Sequence, residues 1–105
     1  MITLHIYLQV KVGREADLED LYREVYVPAI TVQPGFRSTT LLRSFGPEIT
    51  AAIGASGDWN YEIDIVFETE ENRQGWAAGP EHTMAWPKIV DLCDQITWQG
   101  FGLLG

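Results

Sequence analysis

Cysteine is almost absent from this 105-residue chain. The single Cys93 excludes an internal disulfide and any multi-cysteine metal site, and it suits a reducing compartment such as the cytoplasm. Histidine is nearly as scarce: His5 and His82 are the only two, with no His-x-x-x-His spacing, so no metal site is expected. Positive charge is also in short supply. Seven Lys and Arg stand against fifteen Asp and Glu, a formal charge of −8, which argues against nucleic acid and anionic membrane surfaces as partners, since both demand clustered cations. No apolar run approaches the roughly 20 residues of a spanning helix. The first residues alternate like a strand, so they do not read as a secretion signal. Nucleophilic chemistry has no foothold either. There is no Gly-x-Ser-x-Gly, and Gly54-Ala55-Ser56-Gly57 lacks the Lys of a phosphate loop and precedes a strand.

What is present is a strong alternation of strand and helix patterns within one domain, residues 1–105. Ile2, Leu4, Ile6, Leu8 and Val10 alternate with Thr3, His5, Tyr7, Gln9 and Lys11, predicting a first strand with an apolar row and a half-polar one. After Gly13, Leu18, Leu21, Tyr22 and Val25 recur at helical spacing, and Pro28 is expected to end that helix. Gln33-Pro34-Gly35-Phe36 has the order of a type II turn. A second strand is expected over 36–45, followed by a long connection over 46–58 whose middle, 49–53, could extend the sheet. Tyr61, Ile63, Ile65 and Phe67 alternate with Glu62, Asp64, Val66 and Glu68 as a third strand, with Arg37 and Arg43 as candidate partners for the two inner carboxylates. A fourth strand is expected over 96–104, with Gly100 and Gly102 marking a bulge.

Between strands three and four lies the most unusual stretch, 69–86, which gathers Asn72, Trp76, His82 and Trp86 with two glycines and a proline. Thr69 reads as an N-cap, and Asn72 and Trp76 fall four apart on one helical face. Gly79-Pro80 breaks the helix. His82, Trp86, Ile89 and Cys93 then share one stripe, while Pro87 either kinks that second helix or starts another. Trp76 beside Gly75, Ala77 and Ala78 leaves room for a planar ligand, although it fits a core position equally well, with Asn72 then an ordinary first-turn residue. His82 can act as a base near neutral pH or serve as a buried helix-start histidine bonded to a carbonyl. Cys93 reads as a small core residue, and Trp59 and Trp98 as packing.

The order strand, helix, strand, strand, broken helix, strand is the ferredoxin-like split βαβ pattern, an α+β fold with helices on one face of a four-stranded antiparallel sheet. The open face, bearing Tyr7 and Val66, needs a cover, and a second copy of the chain is expected to supply it as a homodimer.

With Val12-Gly13, Gln33-Pro34-Gly35-Phe36, Phe67 leading into Asn72-Arg73-Gln74-Gly75-Trp76, and Pro80-Glu81-His82, the chain resembles the dimeric α+β barrel superfamily. Within it, the likeness is to antibiotic-biosynthesis-monooxygenase-like domains. One branch, the cofactor-independent oxygenases of aromatic polyketide pathways, has an Asn and a Trp four apart and a Tyr six beyond. Asn72 and Trp76 match that spacing, His82 stands at the Tyr position, and the branch's distal Arg falls near Ile96 and is missing. In the haem-degrading branch, Trp76 matches, but the His position falls on Trp86 and the strand-one Asn on Ile6, so that activity is set aside. The resemblance implies an enzyme with His82, Asn72 and Trp76 as catalytic residues and Trp86, Ile6 and Ile63 as the substrate-binding wall. A small aromatic or phenolic substrate would react with dioxygen without a cofactor. The competing expectation is a non-catalytic binding or structural dimer of the same fold.

Overall fold

The computed structural model describes residues 1–54 and 57–105. Four strands, β1 (Ile2–Val10), β2 (Phe36–Arg43), β3 (Tyr61–Phe67) and β4 (Cys93–Gly102), form one antiparallel sheet in the order β2-β3-β1-β4. With its helices this is a ferredoxin-like α+β fold. The helices are α1 (Glu15–Leu21), a π-helical turn (Tyr22–Tyr26), α2 (Val27–Thr31), α3 (Pro47–Ala52), α4 (Glu70–Ala78) and α5 (Pro80–Val90). The core lies where the alternating rows meet the helices. Ile6, Leu8 and Val10 of β1 and Tyr61, Ile63, Ile65 and Phe67 of β3 pack beneath Leu18, Tyr26, Ile30, Trp76 and Ile89, all buried. Among the described residues no helix is long and apolar enough to cross a membrane.

Several expectations need correction. Residues 49–53 do not extend the sheet. Pro47, whose ring holds φ at a helical value and whose missing N–H costs nothing in a first turn, opens α3, and the Thr50 N–H donates to the Gly46 carbonyl. Pro28 does not end its helix. The preceding π turn, in which the Val27 N–H reaches back to the Tyr22 carbonyl, widens the spiral ahead of the proline, and α2 runs on to Thr31. Pro87 sits inside α5, so the helix from Pro80 is continuous; the helical carbonyl it deprives of a donor, that of Thr83, belongs to an exposed residue. Cys93 is the first residue of β4, not the end of a helical stripe. Gly100 and Gly102 pair in register with Leu4 and Ile2, and the irregularity falls instead near Gln9 and Val10, opposite Gln95 and Cys93. Arg37 and Arg43 pair with Glu68 and Glu19, leaving Glu62 and Asp64 to face His5, at 3.4 and 3.9 Å. The Gly54–Gly57 run lies partly outside the described residues.

The type II turn is present. Gly35 has φ +76, the Phe36 N–H donates to the Gln33 carbonyl at 3.2 Å, and the Glu68 N–H donates to the Gly35 carbonyl at 2.8 Å. This turn ties the start of β2 to the entrance of α4.

Candidate active site

Thr69 caps α4. Its Oγ1 accepts the Asn72 N–H at 3.1 Å and donates to Asn72 Oδ1 at 2.8 Å. The helix then turns once more and delivers Arg73, Trp76 and Ala77 to its inner face, the i, i+3, i+4 neighbours of one stripe. At Gly79 the backbone becomes extended, with ψ 164, and Pro80 starts α5. On an uninterrupted helix, Trp76 and His82 would point about 120° apart, at 100° per residue. The break at Gly79 brings their rings edge to face, 5.0 Å between centroids. His82 in turn stacks on Trp86, one helical turn on, at 5.8 Å and 24°. Trp98 of β4 meets Trp86 edge-on at 6.5 Å.

These rings wall a cavity of about 170 Å³ between sheet and helices. Its floor is Leu4 and Ile6 of β1 and Ile65 of β3, Tyr26 closes one side, and Arg73 and Ala77 complete the α4 side. The volume is below the roughly 300 Å³ of common ligand pockets, but the cavity is open to the surface beside Trp98, which is 59% exposed. A second depression of about 430 Å³ adjoins it, sharing Leu4, Arg73 and Trp98 and running along Gly100 and Gly102.

His82 is half-buried, and its pKa is lowered from 6.5, first by burial and then by the positive charge of Arg73. It is therefore neutral at pH 7 and able to accept a proton. Tyr26 is fully buried against Trp76, rings 5.7 Å apart, and its phenol pKa is raised by that burial, so it stays protonated. Cys93 is pushed up to about 11, mainly by burial, which leaves the thiol inert as a nucleophile.

Of the residues singled out from sequence, the structure brings Trp76, His82, Trp86 and Ile6 together around the cavity. Asn72 is outside its lining, because the side chain is held by the Thr69 cap and seated against Gly35, where an added Cβ would collide with it. Ile63 is fully buried and also outside the lining. Leu4, Tyr26, Ile65, Arg73, Ala77 and Trp98 of the wall went unrecognised as site residues in the sequence, and two of them matter most to its chemistry. Trp98 shares the helix-side parity of its β1 partner Ile6 rather than a packing role, and Arg73 sits on the Trp76 face. The i, i+3, i+4 spacing of Arg73, Trp76 and Ala77 was the available signal for the latter.

The sequence profile described as antibiotic biosynthesis monooxygenase matches residues 1–85. The chain belongs to that family. Among solved structures, SnoaB, a cofactor-independent oxygenase from Streptomyces nogalater, superposes with a TM-score of 0.78 at 19% identity, over 99% of this chain and 93% of that one. A dimeric ferredoxin-like protein of unknown function from Thermobifida fusca gives 0.75 at 13% identity, over 97% and 90%. The At3g17210 protein of Arabidopsis thaliana gives 0.81 at 12%, over 100% and 97%. At these identities the likeness is one of fold. No curated protein matches the chain in sequence.

Proposed function

We propose that this member of the antibiotic biosynthesis monooxygenase family is a cofactor-independent oxygenase of the cytoplasm, working as a homodimer on a small aromatic or phenolic substrate. The observation that carries the reading is His82, a neutral imidazole lodged between Trp76 and Trp86 on the wall of an apolar cavity. A flat substrate stacks against the tryptophans, with Ile6 beneath it. His82 takes the proton from its phenol or activated CH2, and the resulting anion is electron-rich enough to reduce dioxygen. The substrate itself is the reductant: a CH2 group and O2 yield C=O and H2O, so electrons balance without an external donor. Tyr26, held as a phenol, supplies no base. Asn72 acts from outside the lining by fixing the first turn of α4 and hence the direction of Trp76.

The test is oxygen consumption with a panel of hydroquinones and anthrones. Wild type should turn over at least one, and His82→Ala should lose about 100-fold or more, the usual scale of a general base. Equal rates in wild type and His82→Ala would remove the base assignment. A second reading, a non-catalytic binding dimer, is favoured by the immobilised Asn72. It predicts binding of these compounds with no oxygen uptake in any variant.

A further inference from the structure

Arg73 is not absorbed by the chemistry above. It is the one cationic side chain in the cavity lining among the described residues, in a chain with an excess of eight acidic charges. It also lines the adjoining depression, so the guanidinium stands at the junction of the two spaces. Its side chain is 22% exposed, while its partner Glu70 is 50% exposed. Glu70 grips one edge of the fork: Nε donates to both carboxylate oxygens at 2.8 and 2.9 Å, and Nη2 donates to Oε1. Nη1 makes no hydrogen bond among the described residues. The ion pair thus fixes the plane of the guanidinium and leaves its far edge with donors to offer. Water screens the charge of the half-exposed Glu70 more than that of the better-buried Arg73.

The depression beyond Arg73 exists because β4 places glycine at two successive helix-side positions. Gly100 and Gly102 pair with Leu4 and Ile2, and no side chain rises from them to fill the space beside Trp98. Neither residue has a positive φ, so the backbone there does not demand glycine. An added Cβ at Gly100 would make only ordinary contact with Leu4, at 3.7 Å, and one at Gly102 would meet nothing.

The geometry points to a two-part site for an aromatic acid: the ring system lies in the Trp76–His82–Trp86–Trp98 cavity, and its carboxylate sits in the glycine-floored depression on the free edge of Arg73. This deepens the reading of the cavity as a small-molecule site, and it holds whether or not that site performs oxygenation. Apart from Thr3, His82 and the Glu70 carboxylate that already grips Arg73, the two linings are apolar, aromatic or glycine, so an anion that missed Arg73 would be desolvated without compensation.

The experiment is calorimetric titration with 2-naphthoate and its neutral isostere 2-naphthamide, using wild type, Arg73→Met and Arg73→Lys. Wild type should prefer the acid by about tenfold, the scale of one charge-assisted hydrogen bond. In Arg73→Met the acid-to-amide ratio should fall to about one while amide affinity holds, and Arg73→Lys should keep part of the preference. A merely structural Arg73 would weaken both ligands together and leave the ratio unchanged. Equal affinities in wild type, a preference that survives Arg73→Met, or no binding of either compound would overturn the assignment. Oxygen uptake is not read in this experiment, so loss of the oxygenase reading alone would leave its result standing.

Discussion

At the scale of single residues, the site is governed by how His82 and Arg73 share one small space. Burial and the neighbouring cation both disfavour the imidazolium, so the folded-state pKa lies below the 6.5 of a free histidine. Between that lowered value and 6.5 the unfolded chain binds more protons than the folded one. Stability from this residue is therefore lost as pH falls through about 6.5. An NMR titration of the imidazole should give a midpoint below 6.5, and Arg73→Met should move it upward by removing the second of the two causes. A wild-type midpoint at or above 6.5 would contradict the burial of His82 in this cavity. His82 was legible in the sequence because it opens the apolar stripe of α5. Arg73 was not, since the Asn72–Trp76 spacing on the same helix drew attention to the neighbouring position. Which of two adjacent residues faces inward depends on the phase at which the helix meets the sheet.

At the scale of elements, the site depends on two interruptions and one turn. The break at Gly79 sets α5 at a new angle, which is why residues six apart can meet ring to ring. The π turn buries Tyr22 and Tyr26 together, stacked at 5.8 Å, and so presents Tyr26 to the cavity. The Gln33–Phe36 turn seats the start of α4. Gly35 has no room for a side chain, since its φ is positive and Asn72 occupies the place of a Cβ. Gly35→Ala should therefore cost about 1–2 kcal/mol for the left-handed backbone alone, and more once Asn72 is displaced. Urea unfolding measures this, and a loss under about 0.5 kcal/mol would show that the turn yields freely. The turn and the Gly79 break were readable from Pro-Gly and Gly-Pro signals. Helix α3 and the π turn were not: Thr and Ile at 49–53 suit a strand as well as a helix, and a π turn has no side-chain signature of its own.

At the scale of the whole molecule, the sheet face that bears Thr3, His5 and Tyr7 lies opposite the rows buried in the core. Across it runs a row of rings, Trp59 to Tyr7 at 6.2 Å, Tyr7 to His5 at 6.5 Å and His5 to Phe101 at 5.0 Å. His5, Glu62 and Asp64 form a polar knot among them, in which one oxygen of Asp64 is buried without a partner among the described residues. A second copy of the chain covering this face is the natural completion, and sedimentation at micromolar concentration should return twice the 11.8 kDa chain mass. A monomer would remove the proposed dimer. The knot also has a pH consequence. Burial, then the hydrogen bond and charge of Asp64, raise the Glu62 pKa from 4.5 to about 7. A carboxyl raised in this way favours the folded state at low pH, and its contribution is lost as pH rises through about 7. The melting temperature should fall between pH 5 and 8, and Glu62→Gln should flatten that slope. An unchanged slope in the variant would place the pH dependence elsewhere.

The sequence by itself determined the fold. A period of two in β1 and β3 and a period near 3.6 in the first helix are local consequences of which face each residue must bury, and four such elements in this order leave few ways to close a sheet. It also marked the 69–86 stretch as the one with chemistry to spare. Only the tertiary structure decided which of those side chains share a space. Asn72 turned to the cap and to Gly35, Arg73 and Trp98 joined the wall, and Gly100 and Gly102 became the floor of a depression instead of a bulge. Such choices depend on the angle of α5 after Gly79 and on the register of β4 against β1. Both are set by long-range packing, which leaves no periodic trace in the chain.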